Sequence, residues 1–173
     1  MTQELIELRL SILKGRYADA LSIVDELEGM SKKAILRQIK SFVIRMLIHL
    51  IKNQIEQRLT NPWAASIRDS ILEIQDLNLR ENQTFHYIKL DEWSVFLEDC
   101  LDSAIFAASV EIVNGAYSPF QLAELLDKTQ ILTTANDFLR LTYSHPPKVL
   151  ASLLNEKLNQ LPGGEDWKLG RQR

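Results

Sequence analysis

Ser41-Phe-Val-Ile-Arg-Met-Leu-Ile-His-Leu-Ile-Lys-Asn-Gln54 is the most apolar stretch of the chain, yet it carries Arg45, His49 and Lys52 in its middle. At about 100° per residue, these three fall with Ser41, Gln38 and Glu56 inside one arc of about 80°. Phe42, Val43, Ile44, Met46, Leu47, Leu50 and Ile51 cover most of the remaining circumference. A helix apolar on so many sides needs neighbours on at least two of them. The stretch therefore predicts an all-α fold, a compact multi-helix bundle around one long central helix. It is too short and too charged to span a bilayer, which needs about 20 consecutive apolar residues.

Outward from this helix, the punctuation stays helical. Thr2 to Lys14 reads as a helix ended by Gly15, and Arg16 to Glu28 as a second ended by Gly29. Both glycines suit the left-handed conformation of a helix cap. Ser31 is a good N-cap for the central helix, expected to run to about Leu59. Asn61 followed by Pro62 opens a fourth helix to about Arg80, because proline fits the first helical turn. ENQTFHYIK, residues 81 to 89, is the least helical stretch and reads as a long connection. Asp91 is expected to cap a fifth helix ending near Asn114 and Gly115. Ser118 and Pro119 open a sixth, Thr134 with Asp137 a seventh, and Pro146 and Pro147 a last one to Leu161. The expected organisation is one helical domain over residues 1–161 and a mobile C-terminal tail over 162–173.

Composition narrows the function classes. The hydrophobic fraction is 46% and the charged fraction 25%, ordinary for a globular chain, so intrinsic disorder is not indicated. The net charge of −3 weighs against nucleic acid as the main partner, since phosphate binding draws on a basic surface. A lone cysteine, Cys100, excludes an intramolecular disulfide, and MTQELIELRL lacks the basic start and apolar core of a secretory signal. The cytoplasm is the expected location.

Candidate sites are few. The three histidines at 49, 86 and 145 stand in no metal-ligand spacing, and no phosphate loop, dinucleotide glycine pattern or nucleophile elbow occurs. No cofactor or metal is expected. Cys100 sits among apolar helical neighbours and reads as a small core residue. Glu111 falls on the same helical face as Trp93, Cys100, Leu101, Ala104 and Ala108. A carboxylate there needs a basic partner, with Arg45, His49, Lys52 and Arg68 as candidates, or a helix end that reaches water. Arg45, His49, Lys52, Arg68 and Glu111 thus form the candidate interaction or polar site, read first as an ion-paired or solvated stripe.

GRYADALSIVDELEGMSKKA, then SFVIRMLIHLIKNQ, then NPWAASIRDSILEI resembles a helical family found mainly in cyanobacteria and catalogued as domain of unknown function 29. The residues that carry the resemblance are Glu26, Glu28, His49, Leu50, Lys52, Trp63, Ile67 and Arg68, and it extends over about residues 13–127. Pro62, Asn53 and Ile71 depart from the family pattern. The resemblance implies an all-helical fold and a cyanobacterial source, and brings no activity with it.

The functional expectation is a non-enzymatic helical protein–protein interaction protein, an adaptor or assembly subunit, with homo-oligomerisation open. One alternative is an enzyme with a site around Arg45, His49 and Glu111. The other is a regulatory nucleic-acid-binding protein using Lys32, Lys33, Arg37, Lys40 and Arg45.

Overall fold

The computed structural model describes residues 2–79 and 85–171. All regular structure among them is helical, apart from an isolated antiparallel bridge between Leu79 and His86. The chain forms two compact units, Met1–Gln38 and Ile39–Arg173.

In the first unit, α1 (Gln3–Leu13) is followed by a turn at Lys14, Gly15 and Arg16 and by the first part of α2 (Tyr17–Glu56). Gly15 takes φ 71°, the left-handed conformation that frees the chain to turn, and the Arg16 amide donates to the Ser11 carbonyl at 2.8 Å. Ser11 and Ala20 flank this turn and are the buried residues of the unit. Glu4 and Leu8 extend the shielded stripe on α1, and Ile23 and Leu27 extend it on α2 at helical spacing.

Gly29 does not end a helix. The second and third expected helices are one continuous helix, Tyr17–Glu56. A glycine stops a helix where it adopts positive φ, and Gly29 keeps the helical conformation. Its cost inside a helix is only about 1 kcal/mol, and the chain absorbs it over forty residues.

In the second unit, the later part of α2 is enclosed. Ile39, Val43, Met46, Leu47 and Ile51 have no exposed surface. Asn53 is buried within this part and donates to the carbonyls of Arg58, at 3.0 Å, and Pro162, at 2.8 Å. Thr60 caps α3 (Asn61–Asn78) by accepting from the Trp63 amide at 3.3 Å, with Pro62 in the first turn. Arg80 and residues 81–84 of the expected connection lie outside the described residues. A single 3-10 turn, Leu90–Glu92, leads into α4 (Trp93–Glu111), whose buried stripe runs through Trp93, Leu97, Cys100, Leu101, Ala104, Ile105 and Ala108. Ser118 caps α5 (Pro119–Leu125), and Asp127 caps α6 (Lys128–Ser144) by accepting from the Gln130 amide. The expected start at Thr134 and Asp137 is therefore too late: Asp127 satisfies the first free amides and Thr134 lies inside the helix. α7 (Pro147–Asn159) and α8 (Gly164–Lys168) complete the order.

Packing places α3, α6 and α7 against one another, α4 against α5 and α6, and α8 against α7. Residues 162–168, in the segment expected as tail, approach the end of α2 closely. Gly163 has φ 72°, and a Cβ there would stand 2.7 Å from Arg58 Cα. Trp167 of α8 donates its indole N–H to Asn61 Oδ1 at 3.1 Å. The last two residues lie outside the described ones.

Candidate polar site

The polar stripe of α2 is graded from wet to dry. Arg45 is exposed, His49 is half-buried and Lys52 is buried. Each meets a different neighbour, because α2 passes α3 and the end of α4 at successive turns. Arg45 donates to Ser66 Oγ on α3 at 3.2 Å. Lys52 Nζ is ion-paired with Glu111 Oε2, and the lysine side chain is 11% exposed against 56% for the glutamate. Lys52 also stands 5.4 Å from the centroid of the Trp63 ring, and the Arg58 guanidinium stands 4.9 Å from the same centroid. Trp63 thus offers its π-face to two cations, an arrangement the ring quadrupole favours.

Local structure explains why Glu111 reaches Lys52. It is the last residue of α4, and Val113 and Asn114 then take left-handed conformations with φ 47° and 55°. Positive φ is strained for a β-branched valine. The fully buried Ile112 anchors this sharp reversal. The carboxylate therefore projects from a helix end toward water while one oxygen meets the lysine. Of the four candidate partners for Glu111, the geometry selects Lys52, and the buried member of the pair is the cation.

His49 holds an unusual position beside this pair. Its Nδ1 is buried and has no hydrogen-bond partner among the described residues. Burial lowers its pKa first, the charges of Lys52 and Arg45 lower it further and Glu111 opposes them, leaving it at about 4. The imidazole is neutral at pH 7. A base so weak takes little part in proton transfer near neutrality, where an effective general base titrates near the working pH. Arg68 does not join the group: its guanidinium meets Asp69 at 3.5 Å on α3. Cys100 is buried and free, with its thiol pushed up to about 11 mainly by burial, which makes it unreactive.

Cavities open elsewhere. One of about 670 Å³ is lined by Asn61, Asn155, Glu156, Asn159, Gln160, Trp167 and Lys168. A smaller one of about 120 Å³ lies among Leu50, Gln54, Gln130, Thr134 and Pro162. Neither includes a residue of the polar stripe. Among the described residues, no cluster of three or more His, Cys, Asp or Glu side chains is placed to hold a metal ion. No helix of the described residues is long and apolar enough to cross a membrane.

A second polar cluster has no signature in the sequence. Asn78 donates to the Ile88 carbonyl at 3.0 Å and accepts from the Ile88 amide at 2.7 Å. The Tyr143 hydroxyl donates to that same carbonyl and accepts from Trp93 Nε1, both at 2.5 Å. This network closes the end of α3 over α4 and α6. Its members are separated by up to 65 residues, so no local spacing announces it.

The profile of the family described as domain of unknown function DUF29 matches residues 8–131. The chain belongs to that family. The match takes in α2, α3 and α4, hence the stripe, Trp63 and Glu111. No activity is established by membership. No curated protein and no solved structure matches the chain.

The buried ammonium is the vulnerable half of the ion pair. Removing its partner leaves a charge uncompensated, whereas removing the charge and keeping the stem does not. Glu111→Gln is expected to lower stability by about 1–3 kcal/mol, and Lys52→Met by clearly less, in thermal or urea unfolding. Equal losses, or no loss from Glu111→Gln, would contradict the asymmetry.

His49 makes stability depend on pH with a defined sign. Its folded pKa of about 4 lies below its unfolded value of 6.5, so the unfolded chain binds the proton more readily. Its contribution is complete above pH 6.5 and is lost as pH falls toward 4, by as much as a few kcal/mol. Wild type should lose more stability between pH 7 and pH 4.5 than His49→Gln does. Parallel pH profiles for the two proteins would count against a histidine buried as the neutral form.

Proposed function

We propose that this DUF29 protein is a non-enzymatic interaction protein of the cytoplasm, an adaptor or subunit of an assembly, and that residues 2–38 carry the binding face. The observation that supports this reading is apolar exposure. The exposed large apolar side chains of this unit range from 38%, at Ile6, to 74%, at Leu13, with Tyr17 and Leu21 at 66% and 64%. So many exposed large apolar side chains on so short a segment favour a surface that meets a partner. The free, buried thiol of Cys100 suits a reducing compartment.

The enzymatic alternative around Arg45, His49 and Glu111 has less support. Glu111 is committed to Lys52, Arg45 reaches Ser66, and His49 is held neutral with a pKa of about 4. The nucleic-acid alternative rests on exposed Lys32, Lys33, Arg37 and Lys40, set against a net charge of −3.

The test is affinity capture of the full chain from its native host with mass spectrometry, comparing wild type with Leu13→Asp/Tyr17→Asp and with His49→Gln. The reading expects a stoichiometric captured protein, the chain itself included, that is lost with Leu13→Asp/Tyr17→Asp and kept with His49→Gln. Capture that survives Leu13→Asp/Tyr17→Asp and fails with His49→Gln would move the binding face to the polar stripe.

A further inference from the structure

Side-chain amides at the joints of the second unit are committed to structure. Asn53 ties Pro162 to the end of α2, Gln54 holds Asp127, Gln75 donates to the carbonyls of Thr142 and His145, and Asn78 holds Ile88. Asn155, Asn159 and Gln160 differ. They stand at the end of α7 or just past it, and among the described residues their side chains make no hydrogen bond. Glu156 and Lys168 beside them form no ion pair among those residues. The shielded Asn159 Oδ1 has no partner, a deficit that folded proteins seldom leave uncompensated. Its amide torsion is soft, so a donor placed nearby can draw this oxygen to it.

These five side chains border the cavity of about 670 Å³ between the start of α3, the end of α7 and α8, within the range of clefts that hold small ligands, about 300–1,000 Å³. Two glycines set its wall. Gly163 turns the chain with φ 72°, and Gly164 is buried so close to α7 that a Cβ would stand 2.3 Å from the Asn159 carbonyl oxygen. α8 is thereby pressed on the end of α7, and Trp167 is fixed by its indole N–H on Asn61 Oδ1 at 3.1 Å. The ring is held by its polar edge and stays half-buried, with part of its surface on the cavity.

The lining is matched to hydroxyl groups. A carboxamide offers donors and an acceptor together, the pattern that pairs with vicinal hydroxyls. The negative face of an indole attracts the weakly positive C–H groups on the flat side of a pyranose ring. Glu156 and Lys168 carry opposite charges, so the lining as a whole favours neither an anion nor a cation. We propose that the cavity between α3, α7 and α8 is a binding site for a neutral mono- or disaccharide, stacked on Trp167 and hydrogen-bonded by Asn155, Asn159 and Gln160. The exposed Glu156 and Lys168 add a charged acceptor and a charged donor at the rim. The site uses none of residues 2–38 and stands independently of the interaction reading.

The test is saturation-transfer difference NMR on the full chain with millimolar glucose, maltose or cellobiose, and with glutamine as a zwitterionic probe. Transfer is expected to the ring C–H protons of at least one of the sugars and not to glutamine. Trp167→Phe keeps an aromatic face and should keep the signal, whereas Trp167→Ala should weaken binding about tenfold. Asn155→Ala/Gln160→Ala should weaken it as well. Both of these side chains are exposed and make no hydrogen bond among the described residues, so this variant tests the site with the fold intact, which an unchanged melting curve verifies. No transfer to any of the three sugars overturns the proposal, as does equal affinity in wild type and Asn155→Ala/Gln160→Ala. Transfer to glutamine, with or without the sugars, overturns the neutral ligand class.

Discussion

A helix that is apolar around most of its circumference must be enclosed, and the later part of α2 imposes that requirement on everything around it. Met46, Leu47 and Ile51 are fully buried, and the surrounding chain is disposed to keep them so. Gln54 accepts from the Asp127 amide at 3.0 Å and donates to its carbonyl at 3.1 Å, tying the entry of α6 to α2. Asn53 fastens the turn after α2 and the chain around Pro162 to the same helix. The polar groups of the stripe have to be accommodated within this enclosure, which is why each has a distinct solution: a hydroxyl for Arg45, neutrality for His49, a carboxylate and an aromatic face for Lys52.

The ion pair at Lys52 shows how a buried charge can be tolerated without being a reaction centre. The ammonium has a counterion at a helix end that reaches water and a tryptophan face beside it. Each compensates part of the desolvation cost. His49 lies close enough to feel both charges, and its response is to stay unprotonated. Perturbed titration often marks a catalytic group. Here, the direction of the shift takes the imidazole away from neutral pH and toward a packing role.

Much of this architecture was legible in the chain. The apolar periodicity of residues 42–51 foretold a central helix, Gly15 foretold the first turn, and Pro62 and Ser118 foretold helix starts, because each rests on local stereochemistry. Gly29 misled for the converse reason: a glycine permits a left-handed cap but does not impose one. The start of α6 was misplaced because Asp127 is the capping residue, and the Asp127 to Gln130 spacing was the available signal. In the candidate site, helical geometry put Glu111 on the apolar face of α4 and left four candidate partners, and the structure leaves its side chain 56% exposed at the helix end. Which base it meets depends on how α4 crosses α2, and the reversal at Val113 and Asn114 has no sequence signature in those residue types. Arg58 over Trp63 and the contacts of Gly163 with Arg58 belong to the same class, being long-range approaches that local pattern does not encode.

The two parts of α2 differ in what protects them, and that difference is the central claim. Ile39–Glu56 is enclosed by its own chain, whereas Tyr17–Gln38 leaves Tyr17, Leu21, Val24 and Met30 exposed. Backbone amide hydrogen exchange, read peptide by peptide, measures this directly. The account predicts strong protection of residues 39–56 and weak protection of residues 3–38. Protection of residues 3–38 as strong as that of residues 39–56 would contradict it.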